Sequence, residues 1–251
     1  MELKEKNTGL IITFNEEKNI QEIIDNFSIC DEIIVVDSFS SDQTVEIAKQ
    51  NLKVKVIQHR FEDFTKQRNI ALDAATNDWV LFLDGDERIP TELQQEIIAE
   101  LNKSDKKEAY YFYRKFYFAG KPIHFSGTQN DKNFRLFRRS KCRYVADKKV
   151  HETLIVKGTT GILKNKLLHY SFDNFEQFKN KMLYYGLLKG SELADKGKKY
   201  SIITHWSKVA FKFVKTYFLK LGFLDGFDGL KISYLQSLYV NETYRKLKNS
   251  K

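Results

Sequence analysis

Three apolar runs in this 251-residue chain stop on polar residues able to bind cations, phosphates or sugar hydroxyls. Trp79-Val80-Leu81-Phe82-Leu83 ends on Asp84-Gly85-Asp86-Glu87, the run through Thr13-Phe14 ends on Asn15-Glu16-Glu17, and Glu32-Ile33-Ile34-Val35-Val36 ends on Asp37-Ser38. Two carboxylates flanking one glycine can hold a divalent cation together with the phosphates it carries, because the glycine lets the backbone turn between them. An acidic turn after a strand would look the same in isolation. Acids at the end of one strand after another are harder to assign to turn chemistry, which does not require them there. Gln67-Arg68-Asn69, near the start of a helix, adds a guanidinium that could reach the same place.

The elements that must position these residues follow from the hydrophobic pattern. Residues 8–14 form a continuous apolar run of strand length, and Asn15 is placed to cap a helix in which Ile20, Ile23, Ile24 and Phe27 recur at helical spacing. The β-branched stretch 32–37 predicts a buried strand, Asp42 can cap a helix over 43–50, and 54–57, 65–75 and 79–83 read as strand, helix and strand. Such alternation with short links predicts a parallel sheet covered on both faces, with ligands at the C-terminal ends of its strands. All three polar clusters then share one edge.

Pro90-Thr91 opens a further helix with Leu93, Ile97 and Leu101 on one face. The aromatic stretch 108–119 predicts a long strand, followed by a turn at Gly120-Lys121-Pro122. Residues 133–139 predict a strand with a basic face of Arg135 and Arg138, and 150–156 another. The expected class is therefore α/β, a mixed but mostly parallel sheet flanked by helices over residues 1–172, with a helical extension over 173–251.

In that extension Phe175, Phe178, Met182, Tyr185 and Leu188 keep a helical period up to Gly190. Further on, Trp206, Val209, Ala210, Phe213, Val214, Tyr217, Phe218 and Leu221 trace an apolar arc, with Lys208, Lys212 and Lys215 opposite. Residues 201–251 hold nine Lys and Arg against three Asp and Glu. Two readings stay open for this arc: packing on the protein's own core with a solvated lysine face, or lying on a membrane surface.

Composition narrows the classes further. Hydrophobic content of 42% and charged content of 30% exclude wholesale disorder. The formal charge of +9 favours anionic partners: nucleic acid, phosphorylated small molecules or an anionic membrane. Cys30 and Cys142 have no metal-ligand spacing, so neither a zinc site nor a disulfide framework is expected. Nothing near the N-terminus resembles a signal peptide, and no run of about 18 apolar residues exists to span a bilayer. A cytoplasmic location is expected.

Taken in order, Thr13-Phe14-Asn15-Glu16-Glu17 with Asn19-Ile20, Val35-Val36-Asp37-Ser38-Phe39-Ser40-Ser41-Asp42-Gln43-Thr44, Gln67-Arg68-Asn69-Ile70-Ala71 and Asp84-Gly85-Asp86-Glu87 resemble the successive motifs of family 2 glycosyltransferases of the GT-A fold. Val150-His151-Glu152, His169-Tyr170-Ser171 and Gly222-Phe223-Leu224-Asp225-Gly226 are similar to the branch containing bacterial lipopolysaccharide core β-glucosyltransferases. The resemblance implies a nucleotide-sugar site of Thr13, Phe14, Glu16, Asp37, Arg68 and Asp84, in which Asp37 accepts from uracil and Phe14 packs on it. It implies Mg or Mn on Asp86, with His169 completing the metal or phosphate site. It also implies a catalytic base at Glu152 beside His151, with Asp131 in reserve. Many members carry an aspartate pair where this chain has His-Glu.

The implied activity is an inverting, metal-dependent transfer of a sugar, expected to be glucose, from a UDP-sugar to a lipid-linked bacterial glycan such as the lipopolysaccharide inner core. It would take place at the inner face of the cytoplasmic membrane, with an anionic membrane surface as partner and no nucleic acid. The chemistry has its own logic: a cation neutralises the charge developing on the departing diphosphate, and an in-line displacement needs one base on the acceptor side. Two alternatives remain. A nucleotidyltransferase also uses strand-end aspartates and a metal, but would need a basic glycine-rich loop where Asn15-Glu16-Glu17 stands. A non-enzymatic basic module for nucleic acid or membrane would set Asp37, Asp84 and Asp86 against a phosphate backbone.

Overall fold

A computed structural model describes residues 5–145 and 153–250. The chain divides into two compact units, Met1–Arg114 with Lys132–His169, and Lys115–Asp131 with Tyr170–Lys251.

The first unit carries the sheet. β1 (Asn7–Thr13), α1 (Ile20–Asn26), β2 (Glu32–Asp37), α2 (Thr44–Ala48), β3 (Val54–Gln58), α3 (Phe64–Ala74) and β4 (Trp79–Leu83) alternate as the hydrophobic pattern predicts. After them come the two-residue β5 (Glu87–Arg88), α4 (Thr91–Leu101), β6 (Ala109–Phe118) and the short β7 (Lys121–Ile123), the last belonging to the second unit. Next are β8 (Lys132–Arg138), β9 (Cys142–Val145), β10 (Thr153–Val156), β11 (Thr160–Ile162) and β12 (Leu167–Phe172). The boundary between the units falls within β6 and within β12.

The strand order runs β3-β2-β1-β4-β8-β6. The first four strands are parallel, and β8 is antiparallel to both its neighbours. In this register Thr13 pairs with Asp37 and Ile11 with Leu83, so the strand ends meet at one edge. The strands read as continuous apolar runs because both faces are covered. Ile11, Val35, Leu81 and Leu83 face α1 and α4, while Leu10, Ile34, Val80 and Phe82 face α3. Each of these side chains is essentially fully buried, worth about 1.5–3 kcal/mol apiece in transfer from water.

Several local expectations are corrected. Helix α1 starts after Asn19, and Asn15 takes a left-handed φ of 54° instead of capping it. The Asn15 amide donates to Ser40 Oγ at 2.8 Å, and its side-chain oxygen accepts from the Ser41 amide at 2.8 Å, which ties the loop after β1 to the loop after β2. The hairpin turn after β6 is Ala119-Gly120, both at positive φ, and Lys121-Pro122 belong to the next strand. Arg135 is 3% exposed, so β8 presents no solvated basic face there.

The second unit is mostly helical: α5 (Phe175–Asp195), α6 (Ile202–Val214), a π-helical turn (Lys215–Leu219), a 3-10 turn (Gly222–Asp225) and α7 (Gly226–Lys248). Its core joins Phe118, Phe172, Phe178, Met182, Ile232 and Leu235, with the Phe172 and Phe178 rings stacked at 3.9 Å. Helices α5 and α7 approach so closely that a Cβ on Gly190 would lie 2.6 Å from the Thr243 carbonyl oxygen. The apolar arc of α6 packs only in part: Val209, Phe213 and Tyr217 are half-buried beside the buried His205 and Thr216, while Trp206, Val214, Phe218 and Leu221 are exposed. No described helix is long and apolar enough to cross a membrane.

Candidate nucleotide-sugar site

Two cavities lie along the C-terminal edge of the first unit's sheet. The larger, about 550 Å³, is walled by Thr13, Phe14 and Glu16 after β1, Ser38 after β2, Arg60, Phe61, Phe64 and Gln67 around the start of α3, and Gly85. Phe14, Phe61 and Phe64 are about half exposed, leaving their faces available to a planar ring. Thr13 Oγ1 is buried in this wall and has no hydrogen-bond partner among the described residues, which points to a ligand that would supply one.

Asp37 does not line this cavity. It is fully buried at the end of β2 and accepts from the Ser40 amide, the Ser40 hydroxyl and Gln58 Nε2. These bonds stabilise a loop in which Phe39 holds φ 63°, a conformation costly for a bulky residue. Ser38 is presented in its place, with its hydroxyl accepting from Gln67 Nε2 at 2.8 Å.

The second cavity, about 380 Å³, is lined by Arg68, Asp84, Asn133, Arg135 and Tyr144 among others. A buried charge cluster forms one wall. Arg135 donates from Nε and Nη2 to both oxygens of Glu87, each at 2.7 Å, and also bonds Asp84. Arg68 donates to Asp84 at 2.6 Å and lies over the Phe82 ring at 4.5 Å. Arg114 reaches Glu87 at 3.2 Å, and the Asp84 amide donates to the same carboxylate at 3.1 Å. Burial opposes ionisation of Asp84, but the guanidiniums of Arg135 and Arg68 outweigh it and hold the carboxyl well below the usual range. Arg135 is likewise kept charged against burial by Asp84 and Glu87. In the cavity wall itself Arg68 and Arg135 flank Asp84, a pair of guanidiniums of the kind that binds phosphate.

The Asp86 side chain is 37% exposed. Strand β5 pairs with β12 so that His169 faces Glu87, and this register sets His169 Nε2 3.2 Å from Asp86 Oδ2. The structure thus brings together the two residues expected at a metal. Among the described residues no group of three His, Cys, Asp or Glu could hold a metal ion. One carboxylate and one imidazole would need other oxygen ligands, and Mg and Mn sites commonly take these from substrate phosphates and water. His151 and Glu152, expected as the base and its neighbour, lie outside the described residues.

Comparison with known proteins decides the family. The model of "Glycosyl transferase family 2" matches residues 9–155. The chain belongs to glycosyl transferase family 2. This family 2 transferase is 32% identical over 235 residues to an uncharacterized glycosyltransferase of Rickettsia typhi, covering 89% of this chain and 80% of the relative. It is 27% identical to the lipopolysaccharide core biosynthesis glycosyltransferase LpsC of Rhizobium meliloti, covering 87% and 81% respectively. Among solved structures it is similar to S. aureus TarS 1-349 in complex with UDP-GlcNAc, at 18% identity and a TM-score of 0.47, covering 72% of this chain and 66% of that one. The observed sheet, mostly parallel and flanked by helices, is the α/β arrangement expected from the sequence.

Sequence reasoning about this glycosyltransferase missed Arg135, Arg114 and the Phe61–Phe64 pair. The signal for the aromatics was present, since both follow the end of β3 at the same sheet edge as Phe14. Arg135 was hidden because alternation along β8 reads a cation opposite Phe134 and Leu136 as solvated. Only the fold supplies Glu87 and Asp84 as its buried partners.

Proposed function

We propose that this glycosyltransferase moves a hexosyl group, glucose, from a UDP-sugar to a lipid-linked glycan of the lipopolysaccharide core type, with inversion at the anomeric carbon. The observation that carries the reading is the meeting of an aromatic cavity containing the orphaned Thr13 hydroxyl with the Asp84-Gly85-Asp86 turn, which Gly85 joins to the cavity wall. Phe14, Phe61 and Phe64 offer faces to the uracil ring. Thr13 and Ser38 offer hydroxyls, with Asp37 fixing the Ser38 loop from behind. Arg68 and Arg135, held by Asp84 and Glu87, set cationic charge beside the diphosphate. A divalent cation on Asp86 and His169 would neutralise charge developing on the leaving UDP. The acceptor hydroxyl attacks C1 as the C1–O bond to UDP breaks, and Glu152 takes its proton.

The relative named for lipopolysaccharide core biosynthesis supports this acceptor class. The exposed aromatics Trp206, Phe218 and Phe227, together with the basic surplus of residues 201–251, support docking on an anionic membrane face. Replacing those three aromatics by serine should weaken binding to anionic liposomes without lowering the thermal midpoint. Undiminished binding would remove the membrane part of the reading.

The decisive experiment is a screen of UDP release across UDP-, GDP- and TDP-sugars with and without Mn, run on the parent and on Asp86→Ala. Metal-dependent turnover of a UDP-sugar that Asp86→Ala abolishes is expected. Full activity in the variant would overturn the metal assignment, and preference for a GDP- or TDP-sugar the donor.

A further inference from the structure

The helical unit contains a cavity of about 450 Å³. Its floor is apolar, built from core residues such as Phe178, Met182 and Ile232. Four amines line it: Lys181 from α5, Lys212 from α6, and Lys215 and Lys220 from the turn that follows. Among the described residues, Asp131 is the one carboxylate in the wall. No ion pair joins any of the four lysines to a described carboxylate, whereas Lys179, Lys189 and Lys231 of the same unit each have an acidic partner.

This arrangement is costly as it stands. Lys212 is half-buried on the inward side of α6, one turn from the buried Thr216. Burial and the neighbouring charge of Lys215 lower its pKa, so the protonated form is disfavoured there. An anion placed among the lysines would relieve both effects. The cavity is too large for an inorganic ion alone, and its aromatic floor favours a bulky apolar or ring-shaped body behind the charge.

The facing wall is fixed in advance. Asp225 accepts from the His124 amide at 3.0 Å and the Phe125 amide at 2.9 Å, and the Ser126 amide donates to the Lys220 carbonyl at 3.0 Å. The loop is thereby locked onto the segment that carries Lys220. Gly222 has no room for a Cβ, which would fall 2.8 Å from Ser126 Oγ, so the approach of loop and turn depends on that glycine. A site with one wall pinned in this way binds with little ordering cost.

We propose that this cavity binds a phosphate ester carried on an apolar or glycan body, the lysine amines taking the phosphate and the aromatic floor the body. Its place as the anchoring site for the acceptor's phosphate rests on the sugar-transfer reading. Binding itself does not, because it is measured without donor or metal, and the two can fail separately.

The test is calorimetric titration of the full chain with dodecyl phosphate below its micellar concentration, glucose 1-phosphate, inorganic phosphate and the neutral dodecyl maltoside. A phosphate ester is expected to bind at least about tenfold more tightly than inorganic phosphate, with no binding of the maltoside. Binding of dodecyl phosphate alone identifies a lipid headgroup as the source; binding of glucose 1-phosphate identifies a glycan phosphate. Lys212→Met and Lys215→Met should each weaken the interaction about 10- to 100-fold, the loss of one charge-assisted hydrogen bond. Lys212→Arg, which keeps the charge, should bind as the parent does. Should Lys212→Met fail to fold, the exposed Lys215→Met carries the test. Equal binding by the methionine variants, or maltoside binding as tight as that of the ester, would overturn the proposal.

Discussion

The two units handle positive charge in opposite ways. At the sheet edge Arg135 is 3% exposed, yet every charge around it is answered, with Glu87 held bidentately and Asp84 shared with Arg68. In the helical unit Lys181, Lys212, Lys215 and Lys220 converge on a cavity, and no described carboxylate pairs with them. The difference follows from the side chains. A planar guanidinium satisfied by carboxylates is a rigid fixture that can be buried before any ligand arrives, whereas ammoniums on flexible stems stay half-solvated until an anion comes. The first arrangement orients a ligand's neighbourhood. The second waits for the ligand's own charge.

If that contrast is right, removing one cation from each region should have unequal consequences for stability. Arg135→Met leaves the fully buried Glu87 with Arg114 as its nearest cation, and should destabilise the protein by about 3–5 kcal/mol in urea unfolding. A loss below about 1 kcal/mol would mean that the cluster relaxes or admits water, and would break the claim that it is preorganised.

A middle case lies in the helical unit, where a carboxylate does organise structure but pairs with backbone instead of lysine. Asp225→Ala removes the acceptor for the His124 and Phe125 amides and should cost about 1–2 kcal/mol, less than a buried ion because the loop amides can turn to water. Its larger signature should be faster hydrogen exchange at those two amides. Unchanged exchange would show the loop to be held by other contacts.

The contrast also marks what was legible in the sequence. The strands 79–83 and 32–37 and the helix face of Leu93, Ile97 and Leu101 were readable because burial on both faces leaves uninterrupted apolar runs and one-sided burial leaves a period. That Thr13, Phe14 and Glu16 share one cavity wall was readable in part, because parallel strands deliver their ends to one edge. The pairing of His169 with Asp86 depended on the two-residue β5, too short to carry any pattern, and was reached through family motifs alone. Arg135 and the lysine cavity were not legible, since periodicity assigns a cation to solvent and cannot see a partner, or the lack of one, far along the chain. The α6 arc misled for a related reason. Trp206, Val214 and Phe218 of the arc are exposed, and the helix packs through His205, Val209, Phe213 and the following Thr216, a stripe that mixes polar and apolar side chains.

The smallest expected effect is the sharpest, because its sign is unusual. Truncating a half-buried long side chain normally costs stability through lost packing. At Lys212 methionine keeps most of the apolar stem and removes a charge that burial and Lys215 already disfavour. With its folded pKa below the unfolded value, the protonated lysine penalises the fold most at pH values under both, and the penalty fades as pH rises through the folded pKa. At pH 7 Lys212→Met should therefore leave the unfolding midpoint unchanged or raise it, by up to about 0.5 kcal/mol. The gain should shrink when dodecyl phosphate is added, because the ester stabilises only the parent to full extent. A clear loss of stability without ligand would mean that the Lys212 ammonium has a favourable role in the cavity, and the contrast between satisfied guanidiniums and waiting ammoniums would not hold.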